Sequence, residues 1–232
     1  MAVPIELREQ LQQITPVVLA AEQVLPVADV FDPILPSGLQ RGWTVRVGGD
    51  TSARALAWAL LGGVTTSGGW IAAVNVAGIG LSAAQEVGVA IERVLVVTAA
   101  RETWSSAIGA LIGAVDVVMF GTPQHRVVPS EYRRMASRAR ERGSVLLEVA
   151  SDESSKFSSQ LQYDLSLRVR PVDWVGLGQG HGRLQGRAQH VEATGRRIRG
   201  RPLTAEFAIP ASDGTLQHIE PHASVTELRA TS

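Results

Sequence analysis

The chain has 232 residues, of which 45% are hydrophobic and 19% charged, with 22 Lys+Arg against 22 Asp+Glu. That length and apolar content suit one α/β domain with a sizeable core and exclude wholesale disorder, while the balanced charge excludes a global basic field for non-specific nucleic-acid binding. With no cysteine and five scattered histidines, the chain has no disulfide framework, thiolate nucleophile or cysteine-based zinc site, and the histidines make no ligand cluster.

The chain opens with an amphipathic segment. Ile5 to Ile14 places Leu7, Leu11 and Ile14 at helical spacing, and Pro16 ends that pattern. Glu6, Arg8 and Glu9 do not suit a signal peptide, and the apolar runs are too short for a membrane span, so a cytoplasmic location is the default expectation. The segment "PVADVFDPILPSGLQRGW" reads as irregular chain ahead of the first core strand.

"VRVGGDTSARALAWALL", Val45 to Leu61, then has the context of a phosphate loop: a strand from Trp43 to Val47, a glycine turn and an Ala/Leu-rich helix from Ala53 to Leu61. On the template G-x-x-x-x-G-K-[ST], Gly48 takes the first glycine, Ala53 the second, Arg54 the lysine and Ala55 the hydroxyl residue, so three of four defining positions are changed. Arginine's planar fork is no substitute for a compact ammonium in a tight loop. The only lysine, Lys156, lies about a hundred residues away, which has no support in the usual spacing of the motif. Taken alone, this stretch also reads as an ordinary strand, turn and helix with no nucleotide ancestry.

Glycine turns follow at Gly62 and Gly63 and at Gly68 and Gly69. The next elements are an apolar strand from Trp70 to Val76, a short helix from Ser82 to Val87, and a buried strand from Arg93 to Val97. A helix from Thr103 to Ile112, the strand "AVDVVMFG", a helix capped by Ser130 and running to about Gly143, and the strand "SVLLEVA" complete the alternation. This order predicts an α/β fold, a mostly parallel sheet covered by helices on both faces. From Gln160 the period changes to two. "LSLRVR" and "LTAEFAI" point Leu165, Leu167, Val169, Leu203, Ala205, Phe207 and Ile209 inward, as antiparallel strands added at the C-terminal end. The predicted organisation is an N-terminal docking segment over 1–24, a core domain over 25–212 and a flexible tail over 213–232.

Two basic features stand out. Arg133, Arg134, Arg138, Arg140 and Arg142 lie on the helix that begins at Ser130, with Arg134, Arg138 and Arg142 four apart on one face, and "GRRIRGRP" carries Arg196, Arg197, Arg199 and Arg201. Each also reads as a solvated face in a protein whose positive charge is nearly all arginine. The second is the denser and is expected to meet an acidic partner or nucleic acid. The segment Ser151 to Gln160, with Asp152 and Glu153 beside Lys156 and Phe157, is a poor match for a phosphate backbone.

The order "LPSGLQRGWTVRVGG", "WIAAVNVAGIGLSAAQEVGVAIERVLVV", "GAVDVVMFG", "LSLRVR" and "GRPLTAEFAIPASDGTL" resembles the core of the RecA recombinase family over about residues 25 to 216. The resemblance implies a RecA-like fold, and the departures from it are systematic. Val74, Asn75 and Val76 stand where the family carries its catalytic glutamate, Gly121 where an aspartate orders magnesium, and Ala150 and Ser151 near its nucleotide-sensing glutamine. Loss of base, cation, metal ligand and sensor leaves little room for ATP hydrolysis, so a pseudo-ATPase with no cofactor and no catalytic residue is expected. Within the family the chain is similar to the ImuA′ group of small accessory subunits of bacterial mutagenic translesion synthesis.

That likeness implies an adaptor joining an ImuB-type Y-family polymerase relative to an error-prone replicative polymerase, with RecA and self-association as further contacts and only weak or indirect DNA binding. Leu7, Leu11, Ile14 and the arginines at 196, 197, 199 and 201 are the expected partner-binding residues. A SulA-like inhibitor of cell division and a weakly active ATPase are the alternatives.

Overall fold

The computed structural model describes residues 24–49, 52–151, 162–177, 182–198, 201–209 and 216–219. Leu7, Leu11, Ile14, Lys156, Phe157 and Arg199 lie outside them. The strands are β1 (Val24–Leu25), β2 (Leu39–Gln40), β3 (Thr44–Gly49), β4 (Ile71–Val74), β5 (Val94–Val97), β6 (Val117–Gly121), β7 (Val145–Ser151), β8 (Leu165–Leu177), β9 (Gly182–Thr194), β10 (Leu203–Ala208) and β11 (Gln217–Ile219). The helices are α1 (Ser52–Thr66), α2 (Leu81–Glu86), α3 (Trp104–Leu111) and α4 (Pro129–Arg142).

The main sheet runs β11-β10-β9-β8-β3-β7-β6-β4-β5. From β8 to β5 every pairing is parallel, and from β8 to β11 every pairing is antiparallel. The expected architecture is therefore present, with one correction: β8 is not wholly antiparallel, because its first residues pair parallel with β3 while its other edge pairs antiparallel with β9.

Period-2 patterning divides the core between the two faces of the sheet. On one face Val45, Val47, Leu147, Leu165 and Leu167 pack with Leu56, Trp58 and Leu60 of α1. On the other Ala72, Val74, Val118, Phe120 and Leu146 pack with Trp104 and Ile108 of α3 and Tyr132, Met135 and Ala139 of α4. Helix α1 is buried nearly all round, as its mostly apolar sequence requires.

Several local readings are corrected. Residues 24–40 are not merely irregular: β1 pairs with β2, a 3₁₀ turn spans Asp29–Phe31, and Leu25, Phe31, Ile34, Leu35 and Leu39 enter the core. Sparse apolar residues between prolines made this burial hard to see. Ser130 lies inside α4, which begins at Pro129 after Val128, since proline's fixed φ and missing N–H suit the first helical position. Strand β5 is not buried: it ends the sheet, with Leu95 42% and Val96 55% exposed. Strand β11 extends the ordered sheet past residue 212; three residues are too few to show a period.

Gly62 and Gly63 make no turn but lie within α1, where their lack of a side chain lets other backbone approach. A Cβ at Gly63 would stand 2.7 Å from the Pro26 carbonyl oxygen, and one at Gly62 would stand 3.1 Å from that of Val87. The helix instead ends at Thr66, and the φ of +96° at Gly68 supports bonds from the Gly68 and Gly69 N–H groups back to Thr65 and Val64. Gly63→Ala would gain about 1 kcal/mol in an open helix. Here it is expected to lower stability by about 1–3 kcal/mol, seen as a lower urea midpoint; a raised midpoint would show that the Pro26 segment yields freely.

Candidate functional site

The N-terminus of α1 and the C-terminal ends of β4, β6 and β7 enclose a cavity of about 150 Å³ lined by Ala53, Arg54, Asn75, Gly121, Thr122 and Ala150, among others. The structure thus brings Ala53 and Arg54 together with Gly121, the position where the family's metal-ordering aspartate is expected. Ala55 lies one residue further along α1 and is half-buried against the core, while Gly48 sits in β3, paired with Ala150 and Arg168.

Asn75 decides the geometry of this cavity. It has a φ of +49°, unusual for a residue with a side chain. Its backbone N–H donates to Val97 O at 3.0 Å. Its Nδ2 donates to Ala99 O at 2.8 Å, and its Oδ1 accepts from the Ala99 N–H at 2.9 Å. So held, the Asn75 carbonyl oxygen lies 2.4 Å from where a Cβ on Gly121 would stand. An aspartate at 121 would require the Asn75 backbone to move. Arg54 covers the neighbouring Gly78, its Nη2 3.4 Å from where a Cβ would lie there.

A buried polar cluster lies beside this region on the α4 face of the sheet, unmarked by any familiar motif. Glu148 of β7 is fully buried and accepts hydrogen bonds from Thr122 Oγ1 at 2.7 Å and from the Tyr163 hydroxyl. The Arg46 guanidinium lies over the Tyr163 ring, 5.8 Å from its centre. Burial raises the hydroxyl pKa of both Tyr132 and Tyr163 well above the ordinary value, and the nearby Glu148 charge raises both further. The lone acid inside "SVLLEVA" was the available signal.

The arginine turn faces inward in part. Arg196 Nη2 lies 2.8 Å and Arg197 Nε 3.6 Å from Asp164 Oδ1, whose side chain is 2% exposed. Thr44 donates to Asp164 Oδ2 from both its N–H and its Oγ1, each at 3.0 Å. Arg201 is exposed. Two of the expected partner-binding arginines therefore neutralise a buried carboxylate that the sequence reading did not single out.

Residues 33–154 match the MT3502 N-terminal domain family. The chain is also 30% identical over 154 residues to the uncharacterized protein Rv3395c of Mycobacterium tuberculosis, an alignment covering 65% of this chain and 74% of that protein. The chain belongs to the MT3502 N-terminal domain family. Among solved structures, it is similar to the RadB recombinase, with a TM-score of 0.58 at 15% identity over 82% of this chain and 97% of that one. The flagellar accessory protein FlaH from Methanocaldococcus jannaschii gives a TM-score of 0.56 at 9% identity, covering 82% of this chain and 95% of that one. The fold of this MT3502 family member is RecA-like.

Two outcomes test these clusters. Asp164→Ala leaves the Thr44 N–H and Arg196 without their shared acceptor and is expected to cost about 3 kcal/mol, whereas Arg196→Ala, removing a half-exposed partner, should cost about 1 kcal/mol or less; equal urea midpoints for the two variants would contradict this. The chain has only two tyrosines, and both have raised pKa values. Unfolded tyrosine ionises near pH 10, so their contribution to stability is complete below that pH and is lost as pH rises above it. Ultraviolet titration should show no tyrosinate near pH 10 in the folded protein, with both signals emerging together on alkaline unfolding.

Proposed function

We propose that this protein is a non-catalytic RecA-like adaptor of the ImuA′ kind, serving SOS-induced mutagenic translesion synthesis by binding an ImuB-type Y-family polymerase relative. The observation carrying the non-catalytic part is the Asn75 carbonyl held against Gly121, in the space an aspartate side chain would need. The substitutions at Ala53, Arg54 and Ala55 support the same reading, since phosphoryl transfer depends on charge clamps and an ordered metal.

An adaptor needs a surface that its own fold leaves open. Strand β5 offers one: among the described residues it pairs with a strand on one side only, and Leu95 and Val96 are exposed. Such an edge takes up an extended segment by backbone pairing and grips alternate side chains. RecA and an error-prone replicative polymerase are the further partners under this reading, and DNA contact is weak or indirect.

Calorimetry of the full chain with ATP and magnesium is expected to show no saturable heat, and the protein to co-purify with an ImuB-type polymerase relative. Micromolar, magnesium-dependent ATP binding would overturn the non-catalytic reading. Capture of a tubulin-like division protein in place of the polymerase relative would overturn the assignment to translesion synthesis.

A further inference from the structure

The α3–α4 groove, of about 970 Å³, lies away from the lapsed nucleotide position. Its α3 wall is made of small residues: Ser105 and Gly109 lie four apart, as do Ser106 and Ala110. Its α4 wall carries Arg134, Arg138 and Arg142, all exposed, with Met135 between them.

These three arginines differ from the others with known partners. Arg41 pairs with Asp116 at 2.7 Å, and Arg196 and Arg197 pair with Asp164. Among the described residues, no carboxylate lies within 4.0 Å of the guanidinium of Arg134, Arg138 or Arg142. Like charges four apart destabilise a helix by about 0.2–0.5 kcal/mol per pair. Favourable interaction with the helix dipole accounts for Arg142 in the last turn but not for Arg134.

We propose that this groove docks an acidic α-helical segment of a protein partner. Carboxylates repeated every fourth residue pair with Arg134, Arg138 and Arg142, and a small apolar face seats on Gly109 and Ala110. The spacing favours a helix: four residues rise about 6 Å, so acids four apart on a helix laid along α4 keep step with the arginines. The small residues of α3 let a third helix backbone come close. Nucleic acid fits less well. Among the described residues no aromatic side chain lines the groove for a base to stack on. Glu131 and Glu141 also line it, and Glu131 is turned to α3, accepting a 2.6 Å hydrogen bond from Ser105 Oγ.

This inference rests on the adaptor reading and gives it a surface and a partner chemistry. Its test uses the full chain and a fluorescein-labelled helical peptide of about 16 residues, with glutamates four apart and alanines and leucines on the adjoining face. Fluorescence anisotropy should show saturable, salt-sensitive binding. The double variant Arg134→Glu, Arg138→Glu should weaken it at least about tenfold, with an unchanged thermal melt; if that variant does not fold, Arg134→Gln, Arg138→Gln takes its place. Three results would overturn the proposal: no binding, equal binding by a peptide of the same composition with scrambled glutamate spacing, or binding unaffected by the substitutions. Stronger binding of single-stranded oligothymidylate, lost in the same variants, would overturn it in favour of nucleic acid. Loss of co-purification with the polymerase relative while the peptide still binds would count against the translesion assignment and leave the groove standing.

Discussion

The carboxylate of Asp164, 1% exposed as a residue, has to be neutralised inside the fold, and the groups that do so come from two separate parts of the chain. Thr44, at the start of β3, donates twice to Oδ2, while Arg196 and Arg197, from the turn after β9, approach Oδ1. The backbone joins the same knot: the Asp164 N–H bonds Thr44 O, and the Arg197 N–H bonds Asp164 O. A buried carboxylate stripped of such partners is costly, so this arrangement constrains where β8 starts against β3 and where the β9 turn returns. The parallel half of the sheet meets its antiparallel extension at this point, which makes Asp164 the pin between them. Gly195 belongs to the same constraint, since a Cβ there would stand 2.5 Å from Asp164 O.

Close backbone approach has a second consequence at the other end of the strands. In a parallel sheet the C-terminal strand ends are where a RecA-like fold would receive its ligand. Here β4 leaves that edge through Asn75, whose side-chain amide bonds Ala99 through both its nitrogen and its oxygen and whose carbonyl crosses Gly121. An aspartate at 121 would therefore be more than a local exchange of side chains. The neighbouring backbone occupies the room its side chain would need, so introducing that residue type alone would not create a metal-ordering geometry.

The fold was legible because its strongest signals are local and periodic. Continuous apolar strands such as "AVDVVMFG", alternating with helical segments, report a doubly covered parallel sheet, and the later alternation of Leu165, Leu167 and Val169 correctly gave the buried face of β8. What was not legible depends on contacts between distant residues. Gly62 and Gly63 look like a turn in sequence, yet they are helical, and it is the backbone of Val87 and Pro26 packed against that side of α1 that calls for glycine. Strand β5 has the composition of a buried strand, "VLVV", but nothing in that run tells that it falls at the end of the sheet. At the candidate site, the departures of Ala53, Arg54 and Ala55 from a motif template were readable, whereas the reciprocal Asn75–Ala99 bonding spans 24 residues and has no signature. Glu148 and Asp164 were visible as single acids in or beside apolar runs, but their partners were not.

Arginine shows the same limit and suggests how geometry removes it. In a chain with a single lysine, arginine serves every ordinary purpose of a cation, so its abundance on α4 or around residue 196 says little by itself. The structure separates the uses. Arg41 and Arg196 pair with acids, while Arg46 and Arg93 lie over Tyr163 and Trp70. The row at 134, 138 and 142 has neither kind of partner among the described residues, and it faces a cleft whose opposite wall is small enough for another helix backbone. Of the two basic features in the sequence, the denser one is partly committed to holding the fold together. The regularly spaced one remains available for recognition, and spacing, more than density, is what a partner helix reads.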